Sequence, residues 1–177
     1  MAKPPERAEL VIESVGARGD GIARLGDARV FVPFTLPGER VEARIVGTAP
    51  DGLLARAERW VEQSPERGAP PCGHFGACGG CALQHWSDAG YAAWKVELLG
   101  TALRRQGIEA PLEPLRRTPP HARRRAGFVA RFGGRGVKLG FRERSSHRLV
   151  PVTACPVLRP SLERLALEAP PLLAGLD

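Results

Sequence analysis

The chain has 177 residues, a net charge of +7, 43% hydrophobic and 25% charged residues, the profile of an ordinary globular protein of one large or two small domains. Its 21 Gly and 17 Pro far exceed average usage of about 12% for the two together, which excludes a helix bundle and favours short strands joined by turns. No apolar run is long enough for a membrane span and no apolar leader follows Met1, so the expected location is the cytoplasm, with no membrane partner. In that compartment the four cysteines need a use other than disulfides.

Residues 9–61 read as an all-β unit. Glu9–Val15 is rich in β-branched residues, and the glycine-rich turn 16–21 leads into a short strand over Gly21–Leu25. Gly26-Asp27 turns the chain into Arg29–Phe34, and Leu36-Pro37-Gly38-Glu39 is a strong turn because Pro presets φ and Gly accepts positive φ. Arg40–Val46 alternates strictly, with Val41, Ala43 and Ile45 on one face and Arg40, Glu42 and Arg44 on the other, the pattern of a half-buried strand. Leu53–Val61 alternates more weakly. Five short strands at this spacing predict a small closed barrel of the OB type.

Residues 63–71 are polar and Pro-rich, which predicts a domain boundary. The expected organisation is a barrel over 1–63, a linker over 64–71 and a second, α+β domain over 72–177. In that domain Ser87–Gln106 carries an apolar stripe (Tyr91, Trp94, Leu98, Ala102) at helical spacing, with Ser87 or Asp88 as cap and Arg104 and Arg105 in the last turn. Tyr91 and Trp94 read as core residues. Arg125–Phe132 and Val137–Arg142 flank Gly133-Gly134-Arg135-Gly136 and predict a hairpin. His147–Val152 could add a third strand. A helix starts at Pro160 and should stop at Pro170-Pro171.

Cys72, Cys78 and Cys81 are spaced C-x5-C-x2-C, and Cys155 follows 74 residues after Cys81, next to Pro156. Glycines 73, 76, 79 and 80 let the backbone wrap a bulky group and aim amides at its sulfurs. Three clustered cysteines and a remote Cys-Pro suit an iron–sulfur cluster. A four-thiolate zinc site normally shows two paired knuckles and here has one. Disulfides would leave the glycines unexplained. His74 reads as a loop histidine, although it could serve as a zinc ligand. No metalloprotease helix, phosphate-binding loop, nucleophile elbow or dinucleotide fingerprint is present.

Charge is concentrated rather than spread. Residues 116–148 hold eleven Lys or Arg and one acid, Glu143. A local excess of this kind is the footprint of a polyanion partner, and arginine suits phosphate bidentately and stacks on bases. Arg123, Arg124, Arg125, Arg131, Arg142, Arg144 and Arg148 are the candidate phosphate or base contacts, with Phe141 as a stacking or core ring. Arg18, Arg24 and Arg29 are the candidates on the barrel.

Several motifs, taken together, resemble the N-terminal part of the bacterial RNA uridine-C5 methyltransferases that carry a TRAM domain and a [4Fe–4S] cluster. The matching stretches are Gly19-Asp20-Gly21-Ile22-Ala23-Arg24, Val30-Phe31-Val32-Pro33 and Leu36-Pro37-Gly38-Glu39. Ser64 and Arg67 then lead into Cys72, Cys78-Gly79-Gly80-Cys81 and Gln84-His85. Lys95 and Leu98, Arg123-Arg124-Arg125-Ala126, Gly140-Phe141-Arg142, Ser146-His147 and Cys155-Pro156 complete the series. One position departs: Ala122 stands where the family tends to place an aromatic. The resemblance implies that Cys72, Cys78, Cys81 and Cys155 ligate the cluster and that the barrel and basic domain hold ribosomal or transfer RNA. It also implies a monomer, with S-adenosylmethionine and the catalytic residues in a C-terminal Rossmann-like domain absent from this chain, which alone is expected to be inactive. The competing readings are a stand-alone RNA-binding metal module and a small basic iron–sulfur redox protein.

Overall fold

A computed structural model describes residues 5–133 and 136–174. Two compact units form: one comprises the residues up to Ala69 together with His85–Leu115, the other Pro70–Gln84 and the residues from Arg116 onward. Among the described residues no helix is long and apolar enough to cross a membrane.

The first unit is built on six strands: β1 (Arg7–Val11), β2 (Ser14–Val15), β3 (Asp20–Leu25), β4 (Ala28–Pro33), β5 (Arg40–Ala49) and β6 (Gly52–Glu62). They lie in the order β1-β5-β6-β4-β3-β2. The two ends of that order are consecutive in the chain. The stretch expected as one strand over 9–15 is bent at Ile12-Glu13, so its first half pairs with β5 and its second with β3. Ile12 at the bend exchanges backbone hydrogen bonds with the turn before β5: its N–H donates to Glu39 O and its carbonyl accepts from Gly38 N–H, both at 2.8 Å. These bonds continue the β1–β5 pairing, and the bent segment links the two ends of a curled sheet, the arrangement expected of an OB-type fold.

Alternation decides the interior. The Val41 and Ala43 side chains point inward and join Leu10, Ile12, Ala23, Val30, Val32 and Ala55 in one buried cluster, while Arg40, Glu42 and Arg44 face water. Full burial of each Val, Leu or Ile contributes ~1.5–3 kcal/mol. Gly38 sits at φ 82°, a conformation that favours glycine and turns the chain so that Glu39 points inward.

Helix α1 (Asp88–Arg105) follows the predicted bounds closely. The Ser87 side chain accepts from Gly90 N–H at 3.0 Å, Asp88 occupies the first turn and Arg104 and Arg105 the last. The sequence reading groups this helix with the region after the linker. In the structure it clusters with the barrel, because Trp94 Nε1 donates to the Val15 carbonyl at 2.9 Å. Trp86, Tyr91 and Trp94 form a chain of tilted rings, and Lys95 lies over the Trp94 ring.

The second unit carries a three-stranded antiparallel sheet, β7 (Val129–Gly133), β8 (Gly136–Arg142) and β9 (Leu149–Pro151), and helix α2 (Pro160–Leu173). The predicted hairpin forms, with Gly134 and Arg135 of its turn outside the described residues. Its first strand starts at Val129 rather than Arg125. The helix does not stop at Pro170-Pro171 but runs through both. Proline fixes φ near the helical value, which lets the helix continue, but each ring removes an N–H bond and crowds the carbonyl four residues before it, so the last turn is the weakest part of α2. Val152, Cys155, Leu158 and Ala166 are the buried centre of this unit.

Candidate metal centre and nucleic-acid interface

All four cysteines are reduced and line one recess, together with His74, Gln84, Arg123, Phe141 and Val157. Local backbone bonds shape the 72–81 segment: Phe75 N–H donates to Cys72 O, and Cys78 N–H to His74 O. The segment is then knit to the end of β8. Gly79 N–H donates to Arg142 O at 2.9 Å, and Cys78 pairs as a bridge with Glu143. A side chain at Gly79 would lie 3.0 Å from Arg142 O and 3.2 Å from Arg144 Cα, so glycine is what permits this approach. Cys155 is buried, and its N–H donates to the Glu163 carboxylate at 2.6 Å. His74 is hydrogen-bonded through Nε2 to Thr153 Oγ1 at 2.7 Å.

The donor set is four soft thiols, the ligands that iron–sulfur clusters and zinc take. Gly80 N–H points at Cys78 Sγ at 3.4 Å. Burial pushes the Cys81 thiol up, while the Arg123 charge and a Gln84 hydrogen bond work the other way. As they stand, no three His, Cys, Asp or Glu side chains among the described residues are gathered closely enough to hold a metal. The residues fit such a group in kind, and the thiols would have to deprotonate and close in around it.

The candidate arginines are placed in different settings. Arg124, Arg125 and Arg131 are exposed. Arg123 lines the cysteine recess, its backbone fixed by bonds to Val157 O and from Arg159 N–H. Arg142 meets His147 Nδ1 at 2.7 Å, Arg144 is half-buried, and Arg148 is ion-paired with Glu143. On the barrel Arg18, Arg24 and Arg29 are exposed, with Arg24 3.8 Å from Glu13. Phe141 is half-buried, packs on Phe128 at 5.0 Å and joins the second unit's core, so its ring is engaged there rather than presented outward.

One cluster is not foreseen by the sequence as a unit. Glu39, fully buried, accepts hydrogen bonds from Leu36 N–H (2.9 Å), Trp60 Nε1 (3.0 Å) and the Arg67 guanidinium, whose Nη2 reaches it at 2.8 Å. Arg67 Nη2 also donates to Phe34 O, and the guanidinium lies over the Trp60 ring. Burial alone would push Glu39 up, but the bonds from Arg67, Leu36 and Trp60 outweigh it and hold the carboxyl below its usual value. Its traces in the sequence are Glu39 after a Pro-Gly turn and Arg67 in the linker, neither of which signals burial.

His85 is buried beside this cluster. Burial and the nearby Arg67 charge push its pKa down to about 4, against a raising effect of Glu39. Folding therefore favours the neutral ring. The unfolded chain takes up a proton near pH 6.5 and the folded chain only near pH 4, so stability is complete above pH 6.5, falls between 6.5 and 4, and is level below. The loss amounts to ~3 kcal/mol. Urea midpoints from pH 7 to 4 should show this slope in the native protein and a flatter profile in His85→Leu. Equal slopes would remove the histidine as its cause.

Comparison with known proteins adds to this geometry. Residues 6–57 match the TRAM domain family. An uncharacterised RNA methyltransferase of Brucella suis is 47% identical over 154 residues, covering 87% of this chain and 36% of that protein. The 23S rRNA (uracil(1939)-C(5))-methyltransferase RlmD of Halomonas elongata is 43% identical over 184 residues, covering 97% and 38%. The crystal structure of the Pyrococcus abyssi tRNA (uracil-54, C5)-methyltransferase with S-adenosyl-L-homocysteine superposes on 95% of this chain and 37% of its own, with a TM-score of 0.60 and 24% identity, a likeness of fold. The chain thus spans little more than a third of the length of the relatives it matches.

Proposed function

We propose that this TRAM-domain chain, related along nearly its whole length to RNA methyltransferases, is the RNA-holding portion of an RNA (uracil-C5) methyltransferase. The observation that carries the reading is the pairing of a TRAM barrel with the concentrated positive charge of residues 116–148. The barrel and the basic segment bind the phosphates of a folded ribosomal or transfer RNA and orient it, and the protein works in the cytoplasm as a monomer. Methyl transfer from S-adenosylmethionine is assigned to none of these 177 residues.

Cys72, Cys78, Cys81 and Cys155 are the ligands for a [4Fe–4S] cluster in this reading. Bound there, the cluster supplies a cross-link between the 72–81 segment and the turn at Cys155. The chain's own residues prepare the site: Gly79 allows the close backbone approach, Gly80 N–H faces a sulfur, and Arg123 places positive charge beside the thiols. Arg123, Arg124, Arg125, Arg131, Arg142 and Arg148 are the exposed arginines among the proposed RNA contacts of residues 116–148.

Anaerobic purification with an absorbance spectrum and a metal count tests the cluster. Broad absorbance near ~400 nm with about four irons per chain is expected. A colourless protein with about one zinc would refute the iron reading. RNA binding is tested separately: affinity should fall steeply with salt, and a salt-independent affinity would refute phosphate contact.

A further inference from the structure

Among the described residues, the outer face of the second unit's sheet carries a row of cations with no acidic partner. In the β7–β8 ladder Arg131 stands directly opposite Lys138, so the two side chains share a face. Lys138 and Arg142 are four residues apart on β8, also on that face, with only Gly140 between them. Arg131, Lys138 and Arg142 are all exposed. Like charges directly opposite one another destabilise a sheet.

Elsewhere in this protein the same situation is relieved by an acid. Arg7 opposes Arg44 in the β1–β5 ladder, and both reach Glu58. Arg24 opposes Arg29, and Arg24 faces Glu13. Arg59 and Arg40 oppose Glu42 and Glu62 outright. Glu143, the one acid of residues 116–148, is taken by Arg148. Beside the hairpin's end, Phe132 is 45% exposed, on the opposite face of the strand from Arg131.

We infer that the Arg131–Lys138 cross-strand pair, continued by Arg142, is a phosphate clamp for single-stranded RNA, with Phe132 offering a ring to a base at the hairpin end. This rests on the RNA-binding reading and specifies its surface, adding Lys138 and Phe132 to the candidates. The repulsion is tolerated because a polyanion discharges it, and each phosphate neutralised releases counterions. Gly140 is buried, with the Val150 carbonyl where its side chain would stand, so the Arg131–Lys138 pair and Arg142 flank that point as two separate phosphate contacts.

Lys138→Glu separates folding from binding. It places an acid opposite Arg131, so the melting temperature should hold or rise. The affinity of the full chain for a mixed-sequence single-stranded RNA should fall ~10-fold at 0.15 M salt, with the slope of log affinity against log salt shallower by ~0.7 or more. Phe132→Leu should weaken the same RNA ~5-fold with the slope unchanged. A folded Lys138→Glu protein with native affinity and slope would overturn the clamp while leaving the RNA-binding reading intact. A native protein with no salt-dependent RNA affinity would overturn both.

Discussion

With the proposed cluster bound, Cys155→Ser should release the metal and loosen the second unit in one step. Iron is expected to drop from about four per chain to near zero, because a cluster held by three thiolates and an alcohol loses a soft ligand. The structural effect follows from chain connectivity. Cys155 lies 74 residues beyond Cys81, and closing a loop of that size is worth about 4 kcal/mol by analogy with a covalent cross-link. The small buried centre of this unit (Val152, Cys155, Leu158 and Ala166) has little to offset such a loss. Limited proteolysis should therefore cut the variant between residues 116 and 154 while the barrel persists. Retained colour with an unchanged digestion pattern would refute the role assigned to Cys155.

Glu39→Ala is expected to cost the barrel unit ~3–5 kcal/mol, the range for removing one partner of a buried ion pair. The guanidinium of Arg67 would keep only the Phe34 carbonyl and the Trp60 face, and the Leu36 and Trp60 donors would lose their acceptor. Against a total stability of ~5–15 kcal/mol, that loss leaves a marginal fold. Urea unfolding followed by tryptophan fluorescence measures it. Glu39→Gln should lose less, since the amide oxygen still accepts. A loss below ~1 kcal/mol in Glu39→Ala would show that the pair is dispensable. Acid should mimic the substitution: a carboxyl held below its usual value contributes stability above pH 4.5 that is lost as pH falls through its folded pKa. That loss begins near pH 4.5, at the lower end of the window assigned to His85, and the Glu39 and His85 variants separate the two.

Strand alternation is a local property, which is why β3 to β6 and the inward face of Val41, Ala43 and Ile45 can be read from the chain. The same holds for α1, whose cap, stripe and terminal charges all lie within twenty residues. Nonlocal pairings are less legible. Nothing near Glu39 announces that Arg67, 28 positions on, will bury it. The bend at Ile12-Glu13 arises because two different strands claim the two halves of one segment. Composition likewise counts Arg148 and Arg131 alike, whereas register gives the first an acid and the second a lysine. The cysteine spacing identifies four residues that line one recess, but the sequence could not tell that Arg123, read as a phosphate contact, lines it too.

The bent first strand has a consequence for how the barrel can be used. One segment, Arg7–Val15, supplies both termini of the sheet order, so peeling either end of the sheet pulls on the strand that forms the other. The exposed arginines of β3 to β6 stand on strands held by backbone pairing. Its surface can therefore exchange one arginine for another during evolution without disturbing the ladder that holds it together.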